Sequence, residues 1–254
     1  MVTGTSFLYS MELSLRIINK IKGAPRKQKA VAIALCLKHV SGRDSIIRNV
    51  NPNKIHTLIG ISPNTFTTYL PLMLDMGLVS YDGANKEHLV IRCLHSSHKS
   101  RNIDIHRIKF KSFKEAYYGL RAFLFLLIQK RKDYIRRTLQ LANNPYPGDD
   151  CKRARQKVKS LVKRGLLKTW TYVEKGLSLK RIAKETGNCI KTVQNIVGYA
   201  IHKRWCRKKT HFLYFFMRGI NYMEVEGSTF TTLNYAFKVT ANTYTLSRGI
   251  KGCL

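Results

Sequence analysis

Lys191, Thr192, Gln194 and Asn195 stand close together in the run KTVQN. A side-chain amide offers a donor and an acceptor side by side, the pattern that pairs bidentately with adenine, and a lysine reaches guanine O6 or N7. Val193 and Ile196 are spaced three apart, so on a helix the apolar pair turns inward and the four polar residues turn outward. That is chemistry for reading base edges. A second polar face, without charge, is formed upstream by Ser62, Asn64, Thr65, Thr67 and Thr68 around the apolar Phe66 and Tyr69. Short hydroxyl side chains suit phosphate oxygens or a thymine methyl, so Asn64, Thr65 and Thr68 join the base-reading candidates while their helix positions more than it reads.

Charge supplies the other half of the pattern. Residues 151–168 hold eight basic side chains and no acid, with Lys152, Arg153, Arg155, Lys157 and Lys159 foremost. Residues 202–209 add Lys203, Arg204, Arg207, Lys208 and Lys209, again with no acid. Any one of these is an ordinary solvated cation. Together they call for a polyanion, because cations that neutralise phosphates release counterions and gain affinity without reading sequence. The whole chain carries 46 Lys+Arg against 14 Asp+Glu, a net +32, and its 44% hydrophobic content describes a folded protein rather than a disordered basic tail. Trp205 lies inside the second basic run, where an aromatic plug for the core is expected.

Catalytic patterns are missing by comparison. The adjacent acids Asp149 and Asp150 follow NPYPG and precede a helix, a place for capping rather than for metal chemistry. There is no GxxxxGK[ST] phosphate loop, and HSSH at residues 95–98 has polar filling where a His–hydrophobe–His site needs apolar. Cys93, His95 and His98, like His202, Cys206 and His211, cluster without supplying four ligands at paired spacing. The six cysteines are scattered, as in a reduced cytoplasmic protein. The greasiest run, FLFLLI at residues 123–128, is far shorter than the roughly 20 residues of a spanning helix, and the N-terminus lacks a signal-peptide pattern. The expectation is no catalytic residue, no cofactor, no metal, no small-molecule substrate, no membrane partner and a cytoplasmic location.

The elements that must hold these residues can be read from turn and cap signals. Residues 11–22 read as a short amphipathic helix stopped by Gly23 and Pro25, and residues 27–39 as a second helix. Asn51 reads as an N-cap with Pro52 at the first helical position, and Ser178 as the cap of a later helix. Phe66, Tyr69, Leu70, Met73 and Leu74 share one helix face, Gly77 ends it, and two strands follow around Asp82-Gly83. Residues 95–114 read as a linker or edge strand, residues 114–142 as a long helix broken by NNPYPGDD, and the stretch after Cys151 as a basic helix capped by Asp149 or Asp150. From residue 219 Thr, Tyr, Phe and Val alternate as in strands.

Residues 178–197, SLKRIAKETGNCIKTVQNIV, place Ile182 and Ala183 on a buried face, Gly187 in the turn, and Val193 and Ile196 as anchors. This order resembles the helix-turn-helix motif shared by many DNA-binding regulators, recombinases and sigma-like factors. Residues 53–70, NKIHTLIGISPNTFTTYL, form a poorer copy with Gly60 in the turn and His56 where the motif usually has alanine. With a helix before it and two strands after it, this copy resembles a winged helix-turn-helix domain. Across residues 27–217 the layout is similar to the tandem winged-helix replication initiators of plasmids and phages.

The resemblance implies a mostly α fold with small β-hairpin wings: two winged helix-turn-helix domains joined by a long helix, plus a β-rich C-terminal segment. The implied boundaries are 1–25 for an N-terminal helix, 26–98 for the first domain, 99–147 for the linker and long helix, 148–218 for the second domain and 219–254 for the β-rich segment. It further implies sequence-specific binding of double-stranded DNA in transcription regulation or replication initiation of a mobile element. The two recognition helices would lie about 34 Å apart, one DNA turn, so a homodimer is compatible but not required. Two other classes stand beside this one: a recombinase or nuclease that docks through the motif, and a nucleoid or virion protein that coats DNA by charge.

Overall fold

The computed structural model describes residues 12–41, 44–82, 86–92, 94, 102–104, 112–144, 148–165, 167, 176–210, 212–216, 221–225, 228–232, 235–239 and 242–247. These residues are mostly helical with small antiparallel sheets, and no helix among them is long and apolar enough to cross a membrane.

Local chemistry sets most helix starts. The first expected helix is shorter than its pattern: Ser14 caps α1 (Leu15–Ile21), its Oγ accepting the Ile17 N–H at 3.3 Å. The cap and the two residues before it form β1 (Glu12–Ser14), whose Leu13 pairs with Ile103 of β5 (Asn102–Asp104). Pro25 opens α2 (Pro25–Ser41) instead of merely stopping α1, since its fixed φ suits the first turn. Residues 30–37 of α2 are all buried, so α2 is enclosed by neighbours rather than half-exposed.

Asn51 caps α3 (Pro52–Ile59) as expected, its Oδ1 accepting the Lys54 N–H at 2.7 Å, and Gly60 ends α3 in the left-handed region at φ 71°. Ser62 caps α4 (Pro63–Asp75), and Gly77 follows its end at φ 66°. β3 (Val79–Asp82) and β4 (His88–Ile91) pair antiparallel with Tyr81 opposite Leu89. β2 (Ile46–Ile47) joins the other edge of β4, giving a three-stranded sheet in the order β2-β4-β3.

α5 (Phe113–Ala142) is the long helix. α6 (Asp149–Lys163) corrects one expectation: Gly148 is its N-cap, and Asp149 and Asp150 sit in the first turn, where carboxylates favour the positive helix end without capping it. α7 (Leu179–Thr186) and α8 (Ile190–His202) follow, with Gly187 between them at φ 71°.

The chain divides into two compact units that are interleaved rather than consecutive. One holds Met1–Lys130, Lys180–Cys206 and Leu246–Leu254, and the other holds Arg131–Leu179 and Arg207–Thr245. Helices α7 and α8 therefore belong with α1 to α4 and the first half of α5, whereas the linear boundaries put them with α6. In the second unit Leu139 and Ala142 of α5 pack on Ala154, Val158 and Leu161 of α6 and on Leu167.

The C-terminal strands also depart from expectation. β6 (Cys206–Lys209) does not turn back on the strand after it; it pairs with β11 (Thr243–Leu246). Between them β7 (Phe212–Phe216) pairs with β10 (Tyr235–Val239), and β8 (Asn221–Val225) with β9 (Ser228–Thr232). Pairing thus nests from outermost to innermost strand. The hairpin wing of consecutive strands expected after the second helix pair is absent among the described residues, because β6 takes its partner from the end of the chain.

Candidate nucleic-acid interface

The turn between α7 and α8 is fixed by a buried polar cluster that no motif announced. Gln28, fully buried on α2, donates from Nε2 to the carbonyls of Ile21 at 3.1 Å and Thr186 at 2.8 Å. Its Oε1 accepts from Arg121 Nε at 3.3 Å and from Asn188 Nδ2 at 3.4 Å. Both donors and both acceptor sites of the amide are therefore engaged, which is what allows it to be buried at all. Asn188 also donates to the Thr186 carbonyl at 3.2 Å. At the edge of this cluster Glu185 pairs with Lys22 at 3.2 Å and with Arg181 at 3.1 Å. The result ties the α7–α8 turn to the α1–α2 turn, where Gly23 also has a positive φ.

Below the turn Ile182, Val193 and Ile196 are fully buried, with Val197 and Ala200 beside them. Their burial orients the opposite edge of α8. Lys191, Gln194 and Asn195 are exposed, and Gly198 and His202 continue the same edge toward the C-terminus. Nothing lies within 4 Å of where a Gly198 side chain would begin, so the helix presents bare backbone there. Thr192 differs from the other three: it is half-buried, and its Oγ1 stands 3.1 Å from the sulfur of the exposed N-cap residue Cys189. That bond, joined by backbone N–H groups at the helix start, pulls the Cys189 thiol below its ordinary range.

On α4 Asn64, Thr67 and Thr68 are exposed and Thr65 is half-buried. The hydroxyls face their own helix. Thr65 Oγ1 lies 2.8 Å from Ser62 Oγ in the cap, Thr67 donates to the Pro63 carbonyl at 3.0 Å, and Thr68 to the Asn64 carbonyl at 2.7 Å. What Thr67 and Thr68 offer outward is chiefly their methyl groups.

Arg121 links the two helices electrostatically. Its guanidinium lies 3.9 Å above the Tyr117 ring; burial lowers its pKa, and Tyr117, Tyr118, Cys189 and Tyr69 oppose that shift. Tyr69 belongs to α4 and Cys189 to the start of α8, so one cation is felt by both. Both helices belong to the same compact unit, not to two consecutive domains. Lys29 of α2 reaches over the Tyr69 ring at 4.9 Å.

Trp205 is a core residue as expected, 5% exposed and wedged edge-on between Phe123 at 5.6 Å and Tyr199 at 5.7 Å. A shallow cleft of about 240 Å³ lies beside Asn195 and Tyr199, closed by Lys114, Glu115 and Tyr118 of α5. Burial, and then the Glu115 charge, raise the Tyr199 phenol.

The basic candidates divide between the units. Lys203, its Nζ 5.5 Å over Tyr199, and the exposed Arg204 belong with α8. Arg207, Lys208 and Lys209 on β6 are exposed, as are Lys152, Arg153, Arg155, Lys157 and Lys159 on α6; all belong to the other unit. Two of these are held: Arg155 Nε donates to the Ala142 carbonyl at 3.1 Å, and Lys152 stands 3.7 Å from Asp149. Among the described residues no three His, Cys, Asp or Glu side chains converge on a metal position; Cys93, His95, His98 and His211 lie outside those residues.

Comparison with known proteins returns nothing: no protein family, no curated protein and no solved structure matches this chain.

Proposed function

We propose that the chain binds double-stranded DNA sequence-specifically, with α7–Gly187–α8 as a helix-turn-helix and α3–Gly60–α4 with the β3–β4 hairpin as a winged one. One observation carries this reading. Val193 and Ile196 are fully buried while Lys191, Gln194 and Asn195, interleaved with them, are exposed along one edge. Gln194 and Asn195 are assigned to adenine edges and Lys191 to guanine; Thr192, tied to Cys189, holds the helix start. α4 positions, through the helix cap and the outward methyls of Thr67 and Thr68. Lys203 and Arg204 contact phosphates beside α8. Regulation of transcription or initiation of replication, in a mobile element, is the process that the sequence resemblance favours.

Selection from random duplex DNA tests the proposal. A single enriched motif bound well above scrambled duplex is the expected result. Equal affinity for all duplexes with a steep salt slope would instead support a charge-driven coating protein, a reading to which the exposed cations of α6 and β6 lend weight.

A further inference from the structure

A second cleft, of about 280 Å³, opens between the C-terminal half of α5 and α6. Its origin is visible in the spacing. Ala154, Val158 and Leu161 form the buried stripe of α6, and Lys157, Ser160 and Arg164 run alongside at intervals of three and four, so they share one flank. On α5, Arg131 and Ile135 are one turn apart with Tyr134 between them, and helix packing brings this group over the flank of α6. Ile135 and Leu161 make the apolar wall.

The lining has a consistent chemistry. Arg131, Lys157 and Arg164 contribute three cations, and among the described residues no carboxylate lies within ion-pair distance of them. Arg164 is oriented: its Nη2 donates to Ser160 Oγ at 2.9 Å and its Nε to the Ser160 carbonyl at 3.3 Å. Tyr134 stands at the rim with 48% of its surface open, a large ring without cover. Like charges gathered around an apolar wall repel one another until an anion enters, and a free aromatic face beside them suits a planar ring. Sites of about 300 Å³ are at the small end of ligand pockets, too small for a duplex or a folded partner.

We propose that the α5–α6 cleft binds one nucleoside phosphate: Arg131, Lys157 and Arg164 hold the phosphate, and the base stacks on Tyr134 against Ile135 and Leu161. The source is either a free nucleoside triphosphate or one nucleotide of a single strand, which share this chemistry. The inference goes beyond the duplex interface and stands without it, since Gln194 and Asn195 take no part.

The test uses the full chain and two probes, a ribose-labelled fluorescent ATP and a fluorescein-labelled oligothymidylate. At least one binds saturably. The pair Lys157→Gln with Arg164→Gln weakens it by about tenfold or more, and Tyr134→Ala by about fivefold, with Tyr134→Phe close to the parent. The pair Arg16→Gln with Lys20→Gln removes the same charge from exposed positions of α1 and changes binding by less than about twofold. If only the ATP binds, the ligand is a free nucleotide; if only the oligonucleotide binds, it is a strand. Should the paired cleft variant unfold, Lys157→Gln and Tyr134→Ala, each at an exposed position, carry the test alone. Gln194→Ala with Asn195→Ala leaves the probe unaffected, which separates this site from the duplex reading. Absence of binding by both probes, or equal losses from the two paired variants, overturns the proposal.

Discussion

Gly187 faces the main chain of Gly23 so closely that a side chain begun at residue 187 would stand 2.3 Å from the Gly23 carbonyl oxygen. Both residues have positive φ, 71° and 73°. The α7–α8 turn is thus glycine for two independent reasons, its own backbone angle and the approach of a second turn from far away in sequence. Gly187→Ala therefore meets a left-handed backbone penalty and an overpacking penalty at once, together about 2–4 kcal/mol. Urea unfolding reads this as a lowered midpoint at unchanged slope; a midpoint equal to the parent's contradicts the contact.

Gly198 is the opposite case. It sits inside α8 on the exposed edge with open space around it, so Gly198→Ala should raise stability by about 0.5–1 kcal/mol. If that edge lies against DNA, the added methyl weakens duplex binding by roughly fivefold, about 1 kcal/mol. Stability and affinity then move in opposite directions. A more stable variant with undiminished affinity would remove Gly198 from the interface.

Cys189 reports on the start of α8. It is exposed, and hydrogen bonding to Thr192 lowers its pKa, whereas burial pushes Cys36 up to about 12 and Cys206 to about 11. A lowered pKa gives thiolate at lower pH, so iodoacetamide should label Cys189 well before Cys36 or Cys206 in peptide mass spectra. Bound duplex should slow that labelling. Labelling at the same rate with and without saturating duplex would place DNA elsewhere.

The buried thiols also set an alkaline response. The unfolded chain sheds the Cys36 proton near 9.0, while the folded chain keeps it to about 12. Above pH 9 the folded state holds more protons than the unfolded one, so stability falls as pH rises from there toward 12. By pH 10.5 this amounts to about 1–2 kcal/mol, and Cys36→Ala should flatten the decline at a neutral-pH packing cost of about 1 kcal/mol. Urea titrations at pH 8 and pH 10.5 compare the two; parallel declines would contradict the assignment.

Much of this was legible beforehand because it is local. Asn51 as a cap, Gly60, Gly77 and Gly187 as turns, and Val193 and Ile196 as inward anchors depend on neighbours within one helical turn, whereas Ser62, read as part of the polar face, caps α4. The Gly23–Gly187 contact and the Gln28 cluster join residues about 160 positions apart, and only a lone glutamine at the head of an apolar run hinted at them. Strand partnership was equally hidden: the run CRKK of β6 carries no alternation, and nothing in it says that β11, rather than β7, lies beside it. The place of α7 and α8 among α1 to α4 is likewise a matter of packing that no linear boundary expresses.

The most direct test of the account is the ratio of affinities for the selected duplex and a scrambled duplex, measured at one fixed salt concentration for the parent chain and for Gln194→Ala with Asn195→Ala. The edge of α8 as a base reader predicts that the variant loses about 1–3 kcal/mol per amide on the selected site and little on the scrambled one, so the ratio collapses. Equal losses on both duplexes, or none on either, would contradict it.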